Sequence, residues 1–430
     1  MRNIVLGLMF GDEGKGKVID FLTDEKTTVI RFNGGTNAGH TVVTSRGKFK
    51  FHLLPSGALR ASDVVLGNGM VIDPFALKEE LDIYKLENAN LRIMISKAAG
   101  VVTPIHVFID KKQEQLRGDL KIGTTSKGIG PCYEDKFSRN GIRMGDLVDK
   151  QTIMAKLRLI TTMRQQLLEG SDYLSTQSLE KLAEDLYKVG KFIEPLMCNT
   201  ELFLEKKKSE GNLLFEGGHG ALLDIDFGVY PYVTSSNTMS GGSMTGSGFS
   251  LRKINNIIGV TKSYISKVGE GPFPTEISGS AADSIREAGG EYGTTTGRPR
   301  RIGWLDIPLL KYSIMLNDVD VLAMTMLDVI GKQKSILICE SYRENFDSPV
   351  QAMIDKKSAT PEYIEMASWG EIPESEVDEM ILKGYYGLPQ EMKDFITKVE
   401  SLTGKEIGII SIGQRRERTI IREKWKSILK

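Results

Sequence analysis

The sequence predicts an α/β protein: one large, mostly parallel central sheet flanked by helices, P-loop-NTPase-like, with a helical insertion or subdomain. Three observations point there. Over the first hundred residues, short β-branched runs alternate with glycine turns and helical patterns, the rhythm of βαβ units. Glycine is abundant, at 45 of 430 residues, and clusters where the expected strands end. Residues 146–210, by contrast, hold only two glycines, Gly170 and Gly190, and are rich in Leu, Lys, Glu and Gln. In chain order, residues 4–8 read as a strand, 18–22 as the start of a helix, 28–32 as a second strand and 64–66 as a third. Asp73-Pro74 then opens a helix, with an N-cap, Pro at the first helical position, and Leu77, Leu81 and Tyr84 on one face. Leu179, Leu182 and Leu186 keep helical spacing in the middle stretch, which is expected to serve packing or subunit contact. The strand-and-glycine pattern returns near residue 211, and residues 319–325 read as a buried strand. With no internal repeat and no Pro/Gly/Ser linker, residues 1–430 are expected to form one domain with a helical excursion over about 146–210.

Composition excludes several classes. Lys+Arg and Asp+Glu balance at 56 each, which argues against a bulk electrostatic grip on nucleic acid or an acidic membrane. Cys132, Cys198 and Cys339 form no CxxC pair, so a disulfide framework is excluded and a reducing compartment expected. Four histidines (His40, His52, His106 and His219) argue against a Cys/His zinc site. No run of about 20 apolar residues could span a bilayer, and the expected location is cytoplasmic.

The strongest local signal follows the first strand. Gly11-Asp12-Glu13-Gly14-Lys15-Gly16-Lys17 has the spacing G-x-x-x-x-G-K between a strand and a helix, where backbone N–H groups and a helix N-terminus can meet phosphate. The next residue is Val18 rather than the Ser or Thr whose hydroxyl would reach Mg²⁺. Asp12 inside the loop would repel phosphate unless a metal or a proton transfer needs it. A solvated glycine turn is the bland alternative, and the strand–loop–helix context favours phosphate. A second loop, from Asn33-Gly34-Gly35 to Asn37-Ala38-Gly39-His40-Thr41, follows the second strand at the same sheet edge, where α/β proteins bind ligands. A lone histidine is usually structural; His40, bracketed by Gly39 and Thr41 beside a phosphate loop, is read as catalytic. The loop Gly123-Thr124-Thr125-Ser126-Lys127-Gly128 resembles an anion cradle and is weak evidence alone. In Gly293-Thr294-Thr295-Thr296-Gly297-Arg298-Pro299-Arg300, threonines and guanidinium forks suit a carboxylate or phosphate, with a solvated basic turn as the alternative. Asp328, after the strand at 319–325, could accept from N1–H and the 2-amino group of guanine.

Taken in order, GDEGKGK, NGG-NAGHT, GTT-GIGP-YEDK, LLDIDFGVYPYVTSSNT, VGEGPFPTE, TTTGRPRR-GWLD and the closing SIG resemble the adenylosuccinate synthetase family over nearly the whole chain. The resemblance implies a ligase of de novo AMP biosynthesis that joins IMP and L-aspartate, with GTP consumed to GDP and phosphate, through 6-phosphoryl-IMP. It implies Asp12 as the base that takes the N1 proton, His40 as the acid, and Lys15 beside the transferred phosphoryl group. Mg²⁺ would be held by Asp12 and the Gly39 carbonyl, which explains Val18. The implied IMP contacts are Asp12, Glu13, Gly14, Lys15, Asn37, Ala38, Gly39, His40, Thr125, Arg139, His219, Thr234 and Arg298. Arg139 would be contributed in trans within a homodimer. Aspartate would meet Thr294, Thr295, Thr296, Gly297, Arg298, Pro299 and Arg300, with Arg298 as carboxylate clamp. GTP would meet Gly11, Asp12, Glu13, Gly14, Lys15, Gly16, Lys17, Gly39, His40, Thr41, Arg300, Met326, Leu327, Asp328, Ser411, Ile412 and Gly413.

This chain departs from the family pattern where Gln is usual (His219), where Lys is usual (Met326), where Pro is usual (Gln414), and where Arg is common (Pro299). Two alternatives therefore stand beside the main reading. One is a paralogue that ligates aspartate to GMP or dGMP, or that takes ATP as donor; the presence of Asp12 favours IMP. The other is a GTP-binding regulator without ligase activity, to which a complete aspartate loop would be useless.

Overall fold

Apolar runs bounded by glycine become the strands of a ten-stranded sheet in the computed structural model, which describes residues 1–44, 47–84, 88, 90–293 and 297–429. In chain order these strands are β1 (Arg2–Gly7), β2 (Thr27–Arg31), β3 (Asp63–Leu66), β4 (Arg92–Ser96), β5 (Met197–Cys198), β6 (Asn212–Gly220), β7 (Asn256–Lys262), β8 (Val321–Thr325), β9 (Ile407–Ser411) and β10 (Thr419–Ile421). Their order across the sheet is β10-β9-β8-β7-β1-β6-β2-β3-β4-β5. Every pairing is parallel except β9 with β10. A parallel sheet is covered on both faces, which is why its central strands read as continuous Val, Ile and Leu. All five residues of β2 and of β8 are buried. Three apolar clusters cover the faces, one around Val18, Ile19, Val64 and Ile95, one around Ile4, Leu6, Phe32 and Phe215, and one around Leu322, Met324, Phe395 and Ile410.

The helical middle is present as Lys150–Met163, Thr176–Ile193 and Thr200–Lys207. Asp149 and Ser175 cap the first two through their side chains. Gly190 is required by close approach, since a Cβ there would lie 2.2 Å from the Leu147 carbonyl oxygen. The excursion also contributes β5 to the sheet edge, a two-residue strand too short to carry a periodic signal.

A second sheet, outside the sequence reading, joins Tyr264–Lys267, Arg301–Asp306, Ser335–Tyr342 and Pro361–Ala367 in that order, with Glu276–Ile277 also paired to Arg301–Asp306. Only Arg301–Asp306 and Ser335–Tyr342 run parallel. It matters for the site because it carries Arg300 at its rim. No helix among the described residues is long and apolar enough to cross a membrane.

Candidate active site at the carboxyl edge of the sheet

Because neighbouring strands run parallel, the loops after β1, β2, β6, β8 and β9 emerge along one edge and enclose a cavity of about 690 Å³. That size suits small ligands. Three of its lining residues, Asp12, His219 and Met326, have φ of 59°, 63° and 58° without being glycine. Left-handed backbone at such residues is costly and gathers at functional sites.

The first loop is shaped from behind by Glu13. Its Oε1 accepts from the backbone N–H of Gly11 at 2.7 Å and of Met9 at 3.1 Å, and its Oε2 accepts from Lys15 Nζ at 2.8 Å. Gly220 makes room, since a Cβ there would fall 2.6 Å from Glu13 Oε1. Thr325 at the end of β8 donates to the Glu13 carbonyl at 2.7 Å, tying loop to sheet. The result turns the Asp12 carboxylate, about a third exposed, into the cavity.

His40 stands across from this loop on the strand His40–Thr44. Its Nδ1 faces Glu216 Oε1 and lies 3.1 Å from Ser56 Oγ. Glu216, fully buried at the end of β6, also accepts from the Ser56 N–H and Oγ, both at 2.8 Å. Burial alone would push the Glu216 carboxyl up; the His40 imidazole, the Arg31 cation and the Ser56 N–H outweigh it and hold the group below its ordinary value. Engagement of Nδ1 leaves Nε2 as the imidazole nitrogen for a ligand. Glu80 steadies this side by accepting from the N–H groups of His52, Leu53 and Leu54 at 2.6, 3.0 and 2.8 Å.

Asn37 donates to Thr234 at 3.3 Å, joining the loops after β2 and β6. Beside them, half-buried His219 leaves Nε2, itself shielded from solvent, without a hydrogen-bond partner. Burial, reinforced by Lys15, Arg31 and His40, lowers its pKa from 6.5 to about 3, so the imidazole is neutral at neutral pH. At the far end Asp328 Oδ1 accepts from the Gly413 N–H at 2.8 Å. Lys17 donates to the carbonyls of Gly413 at 3.0 Å and Arg418 at 2.9 Å, and burial lowers its pKa to about 7. Lys17 thus ties the first loop's helix to the closing loop rather than pointing its amine at open cavity. Arg300 pairs with Asp12 Oδ2 at 3.0 Å and with buried Glu291 Oε2 at 2.6 Å.

The cavity therefore gathers Gly11, Asp12, Gly14, Lys15, Gly16, Lys17, Asn37, Ala38, Gly39, His40, Thr41, Thr125, His219, Thr234, Arg298, Arg300, Met326, Asp328, Ser411 and Gly413 from the residues singled out in the sequence. Glu13, Leu327 and Ile412 are buried behind it. Gly297 and Pro299 are exposed, and Arg139 does not line it. Thr294, Thr295 and Thr296 lie outside the described residues. Sequence reasoning missed Ser56, Glu80, Glu216, Lys262, Tyr264 and Glu291. Only Glu216 carried a signal, as a carboxylate opening the glycine run at the end of β6.

Fold and site together define a nucleotide-using enzyme of the phosphate-loop α/β class, with a carboxylate and a histidine facing one another across one cavity. A family model described as adenylosuccinate synthetase matches residues 4–420. The adenylosuccinate synthetase of Thermoplasma volcanium is 49% identical over 421 residues, 97% of this chain and 96% of its own length. The structure of the fully ligated adenylosuccinate synthetase from Plasmodium falciparum matches with a TM-score of 0.87 at 36% identity, covering 98% of this chain and 99% of that one. The succinoaminodeoxyadenylate synthetase of cyanophage S-2L, bound to dGMP and dATP, shares the fold alone, with a TM-score of 0.63 at 18% identity over 98% and 95% of the two chains. The chain belongs to the adenylosuccinate synthetase family, GTP-using ligases of purine biosynthesis, and adenylosuccinate synthetase activity is its function.

The low His219 pKa has a consequence for stability. The unfolded imidazole protonates near 6.5 and the folded one near 3, so stability is fully present above pH 6.5 and is lost as pH falls from there through about 3. His219→Gln removes this contribution. Thermal melts are expected to show a smaller loss of Tm between pH 7 and pH 4.5 in the variant than in the wild type; equal losses would mean that His219 is solvated.

Proposed function

We propose that this site joins IMP to L-aspartate with GTP as phosphoryl donor, and that Asp12 and His40 carry the chemistry. The observation that carries the reading is the Asp12 carboxylate, held in left-handed backbone inside a phosphate loop and facing the same cavity as His40. Asp12 takes the N1 proton of IMP, and O6 attacks the γ-phosphorus as the bond to the β-phosphate oxygen breaks and GDP leaves. Lys15, the loop amides and His40 through Nε2 meet the charge on the transferred group. The aspartate amine then attacks C6 and phosphate departs with O6. Arg298 holds an aspartate carboxylate from the rim, and neutral His219 offers its unpartnered Nε2 to the purine. For the alternative of a dGMP acceptor with an adenine nucleotide as donor, the parallel is the phage synthetase bound to dGMP and dATP, which shares the fold alone.

Mg²⁺ fits the residues present. The Asp12 carboxylate and Gly39 line one cavity, and a carboxylate with a carbonyl is a hard oxygen set that leaves room for phosphate and water. Bound there, the ion would neutralise charge on the donor phosphates. Arg300, 3.0 Å from the same carboxylate, has to give up part of that contact.

A homodimer is part of the proposal. Arg139 has φ of 67° and stands two residues after Phe137, which is 73% exposed; Leu116, Leu120 and Met163 are exposed as well. Exposed apolar side chains suit a second copy of the chain, to whose cavity Arg139 would turn. Three free cysteines suit a reducing cytoplasm.

Asp12→Asn is expected to lower turnover by at least about 10²-fold while leaving the melting temperature unchanged, because an amide cannot take the proton. Turnover within tenfold of wild type overturns the assignment. Mixing Arg139→Leu chains with Asp12→Asn chains, after verified subunit exchange, is expected to restore activity in heterodimers; failure to complement places Arg139 outside the partner's site. The donor is checked by kcat/KM with GTP and ATP. Each hydrogen bond from guanine to the Asp328 carboxylate is worth about 1.5–3 kcal/mol, so Asp328→Asn should lose the GTP preference. A retained preference would mean that the base is read elsewhere.

A further inference from the structure

Behind the cavity lies a charge network that the chemistry above does not use. We infer that Glu291 is a positioning residue: its buried carboxylate sets the Arg300 guanidinium against Asp12. The inference rests on the reading of Asp12 as the base. Glu291 follows the helix Ser280–Gly289 and Arg300 precedes the strand Arg301–Asp306. They are clasped twice, by the Arg300 N–H donating to the Glu291 carbonyl at 2.9 Å and by Arg300 Nη1 donating to Glu291 Oε2 at 2.6 Å.

The other oxygen of Glu291 is also taken. Oε1 accepts from Lys262 Nζ at 2.6 Å and from the Tyr264 hydroxyl at 2.5 Å. The Tyr264 hydroxyl oxygen lies 3.1 Å from the sulfur of Met326, in the stretch assigned to the donor base. Two cations, Lys262 and Arg300, thus face two carboxylates, Glu291 and Asp12. Burial pushes the Glu291 carboxyl up, but Lys262 and Arg300 outweigh it and hold the pKa at about 2, so the charge persists. Among the described residues Glu291 and Asp12 are the two carboxylates paired with the Arg300 guanidinium, so without the Glu291 carboxylate it is left to Asp12. With Glu291 in place, Arg300 keeps its seat when Asp12 turns to a substrate proton or a metal.

Substitutions separate this role from mere packing. Glu291→Asp keeps the charge but withdraws the carboxylate by one methylene. It should lower kcat about tenfold or more at an unchanged melting temperature, with KM for GTP within threefold, since small displacements near the reacting groups cost that much. Glu291→Gln strands the Lys262 charge and should also lower the melting temperature. Adding Lys262→Met should restore the melting temperature without restoring kcat. Wild-type kcat in Glu291→Asp, or recovery of kcat together with stability in the double variant, overturns the inference. Asp12→Asn is measured alongside. If it keeps turnover, the reading of the base fails; if it is inactive while Glu291→Asp is fully active, only the positioning role fails.

Discussion

A carboxylate taken out of water must be met by cations or N–H groups, and three fully or almost fully buried glutamates impose that condition on everything around this cavity. Glu13 meets it with two loop amides and Lys15, Glu216 with Ser56 and His40, and Glu291 with Lys262, Tyr264 and Arg300. Each glutamate thereby orders a group that faces the ligand space: the phosphate loop, the histidine and the arginine beside Asp12. Removing one partner leaves an uncompensated buried charge, so these residues form a frame that cannot relax piecemeal.

The sheet supplies the second half of the arrangement. Parallel strands bring their carboxyl ends to one edge, and glycines let the loops there approach closely. The seat of Glu13 against Gly220 is one such approach, and it joins the ends of β1 and β6. Backbone strain at Asp12, His219 and Met326 is concentrated on the same edge, where it turns those side chains toward the cavity.

Two residues that line the cavity, Met326 and His219, depart from the expected family pattern. Met326 replaces a common lysine yet contacts Tyr264, so the change is absorbed into the network around Glu291. His219 stands where glutamine is usual. A neutral imidazole still offers one donor or one acceptor at Nε2, although not both as a carboxamide does.

The chain's own sequence determined the α/β class, the parallel sheet, the helical middle and the identity of the loops, because these follow from short-range patterns of apolar residues, glycines and motif spacing. It also pointed to Asp12, a carboxylate out of place in a phosphate loop, to His40, bracketed by Gly39 and Thr41, and to Arg300, a guanidinium suited to an anion. Tertiary structure alone decided what holds them. Glu216 meets Ser56 across 160 positions and Lys17 meets Gly413 across 396, separations at which no local pattern carries information. The mixed second sheet escaped notice because its strands are irregularly spaced and one pair is only two residues long at Glu276–Ile277. Glu291 lies two residues before Gly293, outside every motif singled out in the sequence. Only folding shows it buried between two cations, since burial and charge pairing are properties of neighbours in space.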